Sequence, residues 1–437
     1  MSNINKTGWG MNRLRNVILC SAIALAATAP VSVQADATKE AGASFAISKA
    51  RIDAALAGMV SDGRAAGVSA LVWKDGREVY FGTSGHADRD NGKPMQRDTI
   101  VQIFSMTKPV TGVALMQLWE QGKFGLDDPV ARYLPEFANM QVYAGKDANG
   151  VAQYRPASRP ISIRDLMRHS AGFAGEGKET PAHEAFSLAK PSALDHDLSE
   201  LGRRLARVPL LHDPGERWVY GISVDVQALL VEKLSGQPYA EYVKQHILNP
   251  LKMRDTAWRQ PEANFARFAA MYLRKDGKLE RASDAQARML NFEDNKLTPG
   301  AYGLASTLDD YMRFARMLLG KGQLDGVRIL KPSTVELMAS DHLDPRVTDR
   351  QWLPGKGAVG FGFNFAVRKS APQTPEENRG ATGEFFWDGA ATTLFWVDPA
   401  NNMAAVYFGQ VMPFDGTLHH DIRQAVYGAG YLGPTGD

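Results

Sequence analysis

Thiols are almost absent from this chain of 437 residues, in which Cys20 is the only cysteine. One thiol cannot form an intramolecular disulfide and is too few for a cysteine metal site. An excess of one charge is lacking too, since 50 Lys and Arg residues against 48 Asp and Glu residues give a formal net charge of +2. The sequence therefore predicts no basic surface and no nucleic-acid partner.

Long apolar runs are missing as well. Residues 17–27 are apolar and follow three basic residues, but this run is shorter than the roughly 20 residues that span a membrane. Together with small residues ending at Ala35 or Ala37, it is typical of a secretory signal peptide. We prefer a signal peptide over residues 1–35 to a membrane anchor, with cleavage after Ala35, which removes Cys20. The expected product is a periplasmic or secreted protein without a stable membrane anchor.

Several common catalytic and cofactor motifs are also absent. The chain has no G-x-S-x-G nucleophile elbow, no Walker A loop and no strand–helix dinucleotide fingerprint. His183-Glu184 opens like the zinc motif H-E-x-x-H, but position 187 is serine. Residues 419–421 (His-His-Asp) could hold a metal, although we favour an exposed helix start there. We therefore predict no metal site and no cofactor.

What the chain does contain is a serine followed three residues later by a lysine, Ser105-Met-Thr-Lys108, ahead of an apolar run with helical character. Residues three apart share a helix face, so the hydroxyl and the amine are expected side by side. A helix start also offers N–H groups and a positive dipole end to an oxyanion, and it tolerates Pro109. A second match, Ser187 to Lys190, is expected by chance and lacks a following apolar helix.

The predicted elements divide the chain into three parts. Helical spacing is seen at residues 45–62, 162–167, 195–207, 224–234, 307–318 and 417–427, and strand-like runs at 68–73, 78–82, 360–367, 392–397 and 403–408. Gly, Asn, Pro and Ser predict a loop at 138–160. We predict one domain, 36–437, whose α/β part comes from about 40–135 and 300–437, with a helical part at about 136–299 inserted.

Further sequence elements accompany the Ser-Lys pair. A Pro-Gly turn at residues 214–215 leads through Trp218 to Tyr220, and L-M-x-H-S-x-G occupies residues 166–172. Trp387-Asp388-Gly389 leads into a predicted strand. In this order and separation, these elements resemble the serine β-lactamase/penicillin-binding superfamily, especially its class C branch and the family VIII carboxylesterases. The resemblance implies an α/β (α+β) fold with an antiparallel sheet flanked by helices and an inserted helical domain.

The resemblance also implies roles for particular residues. Ser105 would be the acyl-accepting nucleophile, and Lys108 would help to deprotonate it. Tyr220 would be the general base and would later protonate the leaving group, because a neighbouring cation such as Lys108 favours tyrosinate. The backbone N–H groups of Ser105 and Ala390 would form the oxyanion hole.

Trp387, Gly389 and Ile222 are expected to line the substrate site, and two of them depart from the class C pattern. Trp387 replaces the lysine of K-T-G, and Ile222 stands where Y-x-N has asparagine. Both changes disfavour an anionic β-lactam and favour an uncharged ester. Asp388 occupies the middle position of the esterase motif W-G-G, with an effect that the sequence leaves open.

The predicted function is hydrolysis of small-molecule carboxylic esters with short acyl chains through a Ser105 acyl-enzyme. Three alternatives stay open: a β-lactamase or D-amino-acid peptidase, an acyltransferase that uses an alcohol or amine acceptor, and an inactive binding protein on the same fold. The oligomeric state and the physiological substrate do not follow from the sequence.

Overall fold

The computed structural model describes residues 46–432, so the predicted signal peptide and Cys20 lie outside the described residues. The α-helices are α1 (Lys49–Ser61), α2 (Thr107–Glu120), α3 (Ile163–Met167), α4 (Pro181–Ala189), α5 (Leu198–Leu205), α6 (Ser223–Ser235), α7 (Tyr239–Val243), α8 (Asp284–Asn291), α9 (Leu308–Leu319), α10 (Pro332–Met338) and α11 (Gly416–Tyr427). Shorter 3₁₀ segments are Phe104–Met106, Val130–Arg132, Pro135–Phe137, Glu262–Arg267, Leu353–Lys356 and Pro399–Asn401, and Lys244–Leu248 is a π-helical turn.

The strands alternate with these helices along the chain. They are β1 (Gly67–Lys74), β2 (Arg77–Asp88), β3 (Lys93–Pro94), β4 (Val101–Gln102), β5 (Gln141–Lys146), β6 (Ala152–Pro156), β7 (Tyr272–Lys275), β8 (Lys278–Arg281), β9 (Ala305–Ser306), β10 (Gln323–Leu324), β11 (Val327–Arg328), β12 (Val359–Phe361), β13 (Ala366–Arg368), β14 (Phe385–Gly389), β15 (Thr393–Asp398), β16 (Met403–Phe408) and β17 (Val411–Met412).

Eight strands form one antiparallel sheet in the order β12–β13–β14–β15–β16–β1–β2–β3. In its centre, Leu71 of β1 lies opposite Phe81 of β2 on one side and Val406 of β16 on the other. The sheet is therefore built from segments near both ends of the described chain, which bury one another's backbone edges.

Helices cover both faces of this sheet. Phe395 of β15 packs against Tyr311 of α9, with ring centroids 5.1 Å apart, and Tyr407 of β16 packs against His419 of α11 at 6.2 Å. Phe395 pairs with Val406, and neighbouring residues of a strand point to opposite faces. Helices α9 and α11 consequently lie on opposite faces. This confirms the predicted antiparallel sheet flanked by helices.

Helix α6 is the centre of the helical part. It packs against α2, α3, α5 and α7, and its residues 223–231 are all buried. A helix that is covered on every side belongs to a core. Because Tyr220 lies just before this immobilised helix, packing of α6 against α2 brings Tyr220 towards Ser105.

Two local predictions are wrong. Residues 138–160 contain the hairpin β5–β6, with Tyr143 opposite Tyr154, where we expected a loop. The two strands are short and mostly exposed, so they lack a clear apolar alternation, and the turn residues between them made the whole segment resemble a loop. Residues 360–367 form two short strands that turn at Asn364, which has a φ of 66°. No helix within residues 46–432 has the length and apolar character needed to cross a membrane.

Candidate active site

Ser105 and Lys108 lie where a 3₁₀ turn, Phe104–Met106, runs into α2. Residues three apart lie on the same face of a helix, and Lys108 Nζ is 3.1 Å from Ser105 Oγ. Pro109 is the third residue of α2, where its missing N–H leaves no intrahelical hydrogen bond unmade. The predicted pairing of the hydroxyl and the amine is therefore present.

The backbone bends sharply just before the serine. Phe104 has a φ of 43°, a left-handed conformation that costs a non-glycine residue about 1–3 kcal/mol. Contacts on either side hold the bend in place: Ile103 N–H donates to Leu304 O at 3.0 Å, and Tyr311 O–H donates to Met106 O at 2.7 Å. Packing therefore fixes the direction in which Ser105 leaves the chain.

Lys108 is almost completely buried, with 3 % of its surface exposed. Its amine also donates a hydrogen bond of 2.9 Å to Ala301 O. Burial lowers the pKa of Lys108 to about 7, although the carboxylates of Asp225 and Asp388 oppose that change. A considerable fraction of the amine is consequently neutral near pH 7 and able to accept a proton from Ser105.

Asp225, which the sequence analysis did not single out, also belongs to this site. It lies in the first turn of α6, and its Oδ1 accepts a 3.1 Å hydrogen bond from Ala301 N–H. Burial raises its pKa to about 6. Ile222 and Asp225 are three residues apart at this helix start, so a carboxylate lies one turn beyond the position where the class C pattern has asparagine. In the sequence, the only indication of this residue is its position, an acidic residue in the first helix turn after Tyr220.

Tyr220 connects the serine to the strand β14. Its side chain hydrogen-bonds Ser105, its hydroxyl accepts a 3.0 Å hydrogen bond from Trp387 Nε1, and Lys108 Nζ lies 4.4 Å from the centre of its ring. The expectation that Lys108 favours tyrosinate is not met. Burial outweighs both hydrogen bonds and raises the pKa of Tyr220, which is therefore protonated at neutral pH.

His169 supports the segment that carries Tyr220. Its carbonyl accepts from Val219 N–H at 2.9 Å, its Nδ1 accepts from Gly221 N–H at 3.4 Å, and its ring lies 4.7 Å from that of Tyr220. Burial lowers the pKa of His169 well below its usual value, so the ring is neutral. These contacts give His169 a structural role, because they hold the segment that carries Tyr220.

The end of β14 lies against the chain that leads into Ser105. A Cβ atom on Gly389 would be 2.4 Å from Ile103 O, so only glycine permits this approach. Ala390 follows directly, which places its N–H in the same region as the Ser105 turn. Strand β13 pairs only with Phe385 and Phe386, so the remainder of this edge of β14 is unpaired. The backbone groups of this unpaired edge are therefore not used by the sheet on that side.

Alternation along β14 sends Trp387 and Asp388 to opposite faces. The indole of Trp387 contacts Tyr220, whereas the carboxylate of Asp388 forms a largely buried ion pair with Lys356. The middle residue of the predicted W-D-G element thus binds a cation from the 3₁₀ segment Leu353–Lys356. Ile222 is 7 % exposed at the start of α6 and contributes apolar surface beside Tyr220.

Outside this cluster, one prediction needs correction. His419 is 4 % exposed, whereas we expected an exposed helix start, because it faces the sheet and packs against Tyr407 and Phe414. Among the described residues, no group of His, Cys, Asp and Glu has a geometry that could hold a metal ion. Ser187, of the second S-x-x-K match, bonds to the backbone of Gly177.

An antiparallel sheet with a Ser-Lys-Tyr cluster at its edge defines the class of β-lactamase-fold hydrolases and acyltransferases. The model of the Beta-lactamase family matches residues 52–428, and the chain belongs to this family, within the serine β-lactamase/penicillin-binding superfamily.

Two relatives and one solved structure illustrate the similarity. The chain is 34% identical over 382 residues to Protein Rv1367c of Mycobacterium tuberculosis, covering 84% of this chain and 90% of that protein. It is 28% identical over 409 residues to Esterase EstB of Burkholderia gladioli, covering 86% and 95%. The solved structure of EstCE1, described as a hydrolase with promiscuous acyltransferase activity, has a TM-score of 0.71 at 26% identity and covers 87% and 98%.

Proposed function

We propose that this protein is a serine carboxylesterase that forms an acyl-enzyme on Ser105. The observation that carries the proposal is the connected set of Ser105, Lys108, Tyr220 and Trp387, in which the serine hydroxyl contacts both a buried amine and a phenol. The similarity to Esterase EstB supports the choice of esters. Short acyl chains remain the proposed preference.

The proton transfers follow from the two altered pKa values. Ser105 Oγ attacks the ester carbonyl while its proton passes to the neutral amine of Lys108, 3.1 Å away. The N–H groups of Ser105 and Ala390 stabilise the oxyanion. Protonated Tyr220 gives its proton to the departing alcohol, and the Lys108 ammonium returns a proton to Tyr220. In deacylation water takes the place of the alcohol, and the same transfers run in reverse.

Esters are favoured over β-lactams because the site offers little to an anionic substrate. Trp387 occupies the position of the K-T-G lysine and contributes a single neutral N–H, which already bonds to Tyr220. The nearby cation, Lys356, is paired with Asp388. A β-lactam carboxylate would have to break that buried pair, whereas an uncharged ester makes no such demand.

The proposal includes export, since the signal-peptide pattern predicts cleavage after Ala35 and a periplasmic or secreted product. N-terminal sequencing of the protein from its native host tests this part independently. An intact N-terminus in the cytoplasmic fraction would contradict it.

Intact-mass spectrometry across a panel of esters, amides and β-lactams tests the catalytic proposal. We expect an adduct of acyl mass from p-nitrophenyl butyrate with the wild type and none with Ser105→Ala. The specificity constant for this ester should exceed that for a cephalosporin. An adduct that persists in Ser105→Ala, or a higher specificity constant on the cephalosporin, would contradict the assignment. A complete lack of adducts would support the inactive binding protein.

Acyl transfer is a second candidate function, which the printed description of EstCE1 favours. The same acyl-enzyme would pass its acyl group to an alcohol in place of water. Product analysis of butyrate ester turnover with a competing alcohol measures the partition. A transesterified product in excess over butyric acid at millimolar alcohol would identify a transferase, and butyric acid alone would identify a hydrolase.

A further inference from the structure

Trp352 is an exposed aromatic residue beside the candidate active site. Its side chain belongs to a cluster of rings, with centroids 5.1 Å from Tyr220, 5.1 Å from Trp218 and 6.0 Å from Trp387. Nevertheless 46% of its surface is exposed, whereas Trp218 and Trp387 are fully buried. A large indole that is held against a reactive tyrosine and still open to solvent is available to contact a substrate.

The segment that carries Trp352 is fixed to the site at several points. The backbone N–H of Trp218 donates to Asp349 O at 3.0 Å, and the backbone N–H of Tyr220 donates to Gln351 Oε1 at 3.0 Å. Further along, Lys356 forms its buried ion pair with Asp388, next to Trp387 in β14. The position of the exposed indole is therefore set by the same residues that hold Tyr220.

The Lys356 ammonium also contacts the aromatic wall directly. Its Nζ lies 5.2 Å from the centre of the Trp352 ring and 5.4 Å from that of Trp387, distances at which a cation is attracted to an aromatic face. Asp388 keeps this ammonium in place. The ion pair thus positions the indole without contacting the nucleophile.

The proposed proton transfers identify which half of the ester lies beside Trp352. Tyr220 gives its proton to the oxygen of the departing alcohol, so that oxygen must come within hydrogen-bond reach of the Tyr220 hydroxyl. The groups on that oxygen then extend past the neighbouring rings. Trp352 is the exposed ring in contact with Tyr220, so it is the ring that those groups would meet.

We propose that Trp352 is a specificity-determining residue that binds the alcohol portion of the substrate, and that the preferred esters carry a flat or cyclic apolar alcohol. The inference rests on the proposed ester hydrolysis and names the substrate class of that site. An alcohol that accepts the acyl group in transfer occupies the same position, because it enters by the reverse of the path by which the leaving alcohol departs.

A pair of matched ester series tests the assignment. The first series keeps butyrate and changes the alcohol from ethanol to cyclohexylmethanol and 2-naphthylmethanol. The second keeps ethanol and changes the acyl group from butyrate to phenylacetate. We expect Trp352→Ala to lower kcat/KM for 2-naphthylmethyl butyrate about tenfold and to leave both ethyl esters within about twofold. Trp352→Phe, which retains a smaller ring, should give an intermediate value.

Two further variants separate substrate contact from a structural effect. Tyr154, also 46% exposed, packs on Tyr143 in the hairpin β5–β6, and Tyr154→Ala should leave both series unchanged. Lys356→Met should reduce the preference for 2-naphthylmethyl over ethyl butyrate, mainly through KM, and Lys356→Arg should restore it.

An equal loss on every ester, or a loss that follows the acyl group, would overturn the assignment of Trp352 while leaving ester hydrolysis intact. A wild-type protein that forms no Ser105 acyl-enzyme with any ester would instead refute the proposed function. The two failures are therefore distinguishable.

Discussion

Ser105–Lys108 and Ser187–Lys190 have the same spacing but lie at opposite ends of their helices. Ser105 and Lys108 belong to the turns that begin α2, and the lysine is buried. Ser187 lies near the end of α4, and Lys190 is the exposed C-cap residue, with a left-handed φ of 46°. The Ser187 hydroxyl exchanges hydrogen bonds of 3.1 and 3.2 Å with the backbone of Gly177.

The two serines therefore have the same spacing to a lysine but different surroundings, and those of Ser105 are the ones that the proposed nucleophile needs. At the start of α2, burial lowers the pKa of Lys108 to about 7, so that a neutral amine lies next to the hydroxyl. At the end of α4, Lys190 is exposed, and the Ser187 hydroxyl is hydrogen-bonded to the backbone of Gly177. We therefore expect substitutions of Ser105 and Lys108 to lower activity far more than the same substitutions of Ser187 and Lys190, and substitutions around Ser105 to have smaller effects.

The largest difference in activity is expected between substitutions of the two serines. Ser105→Ala should lower kcat for p-nitrophenyl butyrate by at least about a thousandfold, because the nucleophile is lost. Ser187→Ala should stay within about twofold of the wild type. Steady-state kinetics with circular dichroism as a folding control measures both. Comparable losses of kcat in the two variants would contradict the assignment of Ser105, and not Ser187, as the nucleophile.

The second largest difference in kcat is expected between substitutions of the two lysines. Lys108→Met removes the proposed proton acceptor and keeps an apolar stem, so kcat should fall by about a hundredfold to ten-thousandfold. Lys190→Met changes only an exposed residue and should have no measurable effect on kcat. If Lys108→Met retained full activity with Ser105 still acylated, Tyr220 would have to act as the base alone.

Much of this site could be predicted from the sequence, because its residues belong to short segments with fixed spacing. The Ser105–Lys108 pairing follows from the geometry of one turn, and Tyr220 and Trp387 were placed by their resemblance to known motifs. The structure brings all four together. Their chemical roles stay predictions until they are measured.

Other features depend on tertiary contacts that the sequence does not encode locally. Asp225 matters through a hydrogen bond to Ala301, 76 residues away, and Trp352 reaches Tyr220 from a segment 132 residues further on. The protonation of Tyr220 does not follow from the sequence, because burial raises its pKa and the burial of a side chain is known only from the folded structure. The burial of His419 also depends on tertiary contacts, because its polar neighbours at the start of α11 indicate an exposed position.

A smaller effect is expected when Trp387 loses its N–H group. Trp387→Phe keeps an aromatic ring in β14 and removes the 3.0 Å hydrogen bond to the Tyr220 hydroxyl. A single such bond contributes on the order of 1 kcal/mol, so kcat should fall about fivefold. The effect should disappear in a Tyr220→Phe background, which a double-mutant cycle measures. Additive losses would mean that the indole acts elsewhere.

The smallest effect concerns the pH dependence of the reaction. Because the reactive form of Lys108 is neutral, kcat/KM should rise with pH and have its midpoint near 7, the pKa of the buried amine. The Asp225 carboxylate raises that pKa by favouring the ammonium. Asp225→Asn removes the charge, lowers the pKa of Lys108 and should move the midpoint towards lower pH by about one unit, with little change in the plateau.

A matched carboxylate on the same helix provides the control for this shift. Glu232 lies further along α6 and accepts a 2.9 Å hydrogen bond from Tyr239 N–H, so Glu232→Gln preserves the bond while removing one charge. Its pH profile should coincide with that of the wild type. A midpoint that moves to higher pH in Asp225→Asn, or that moves equally in both variants, would show that Asp225 does not act on Lys108. The observed direction therefore tests whether the buried lysine, and not Tyr220, controls the reactivity of Ser105.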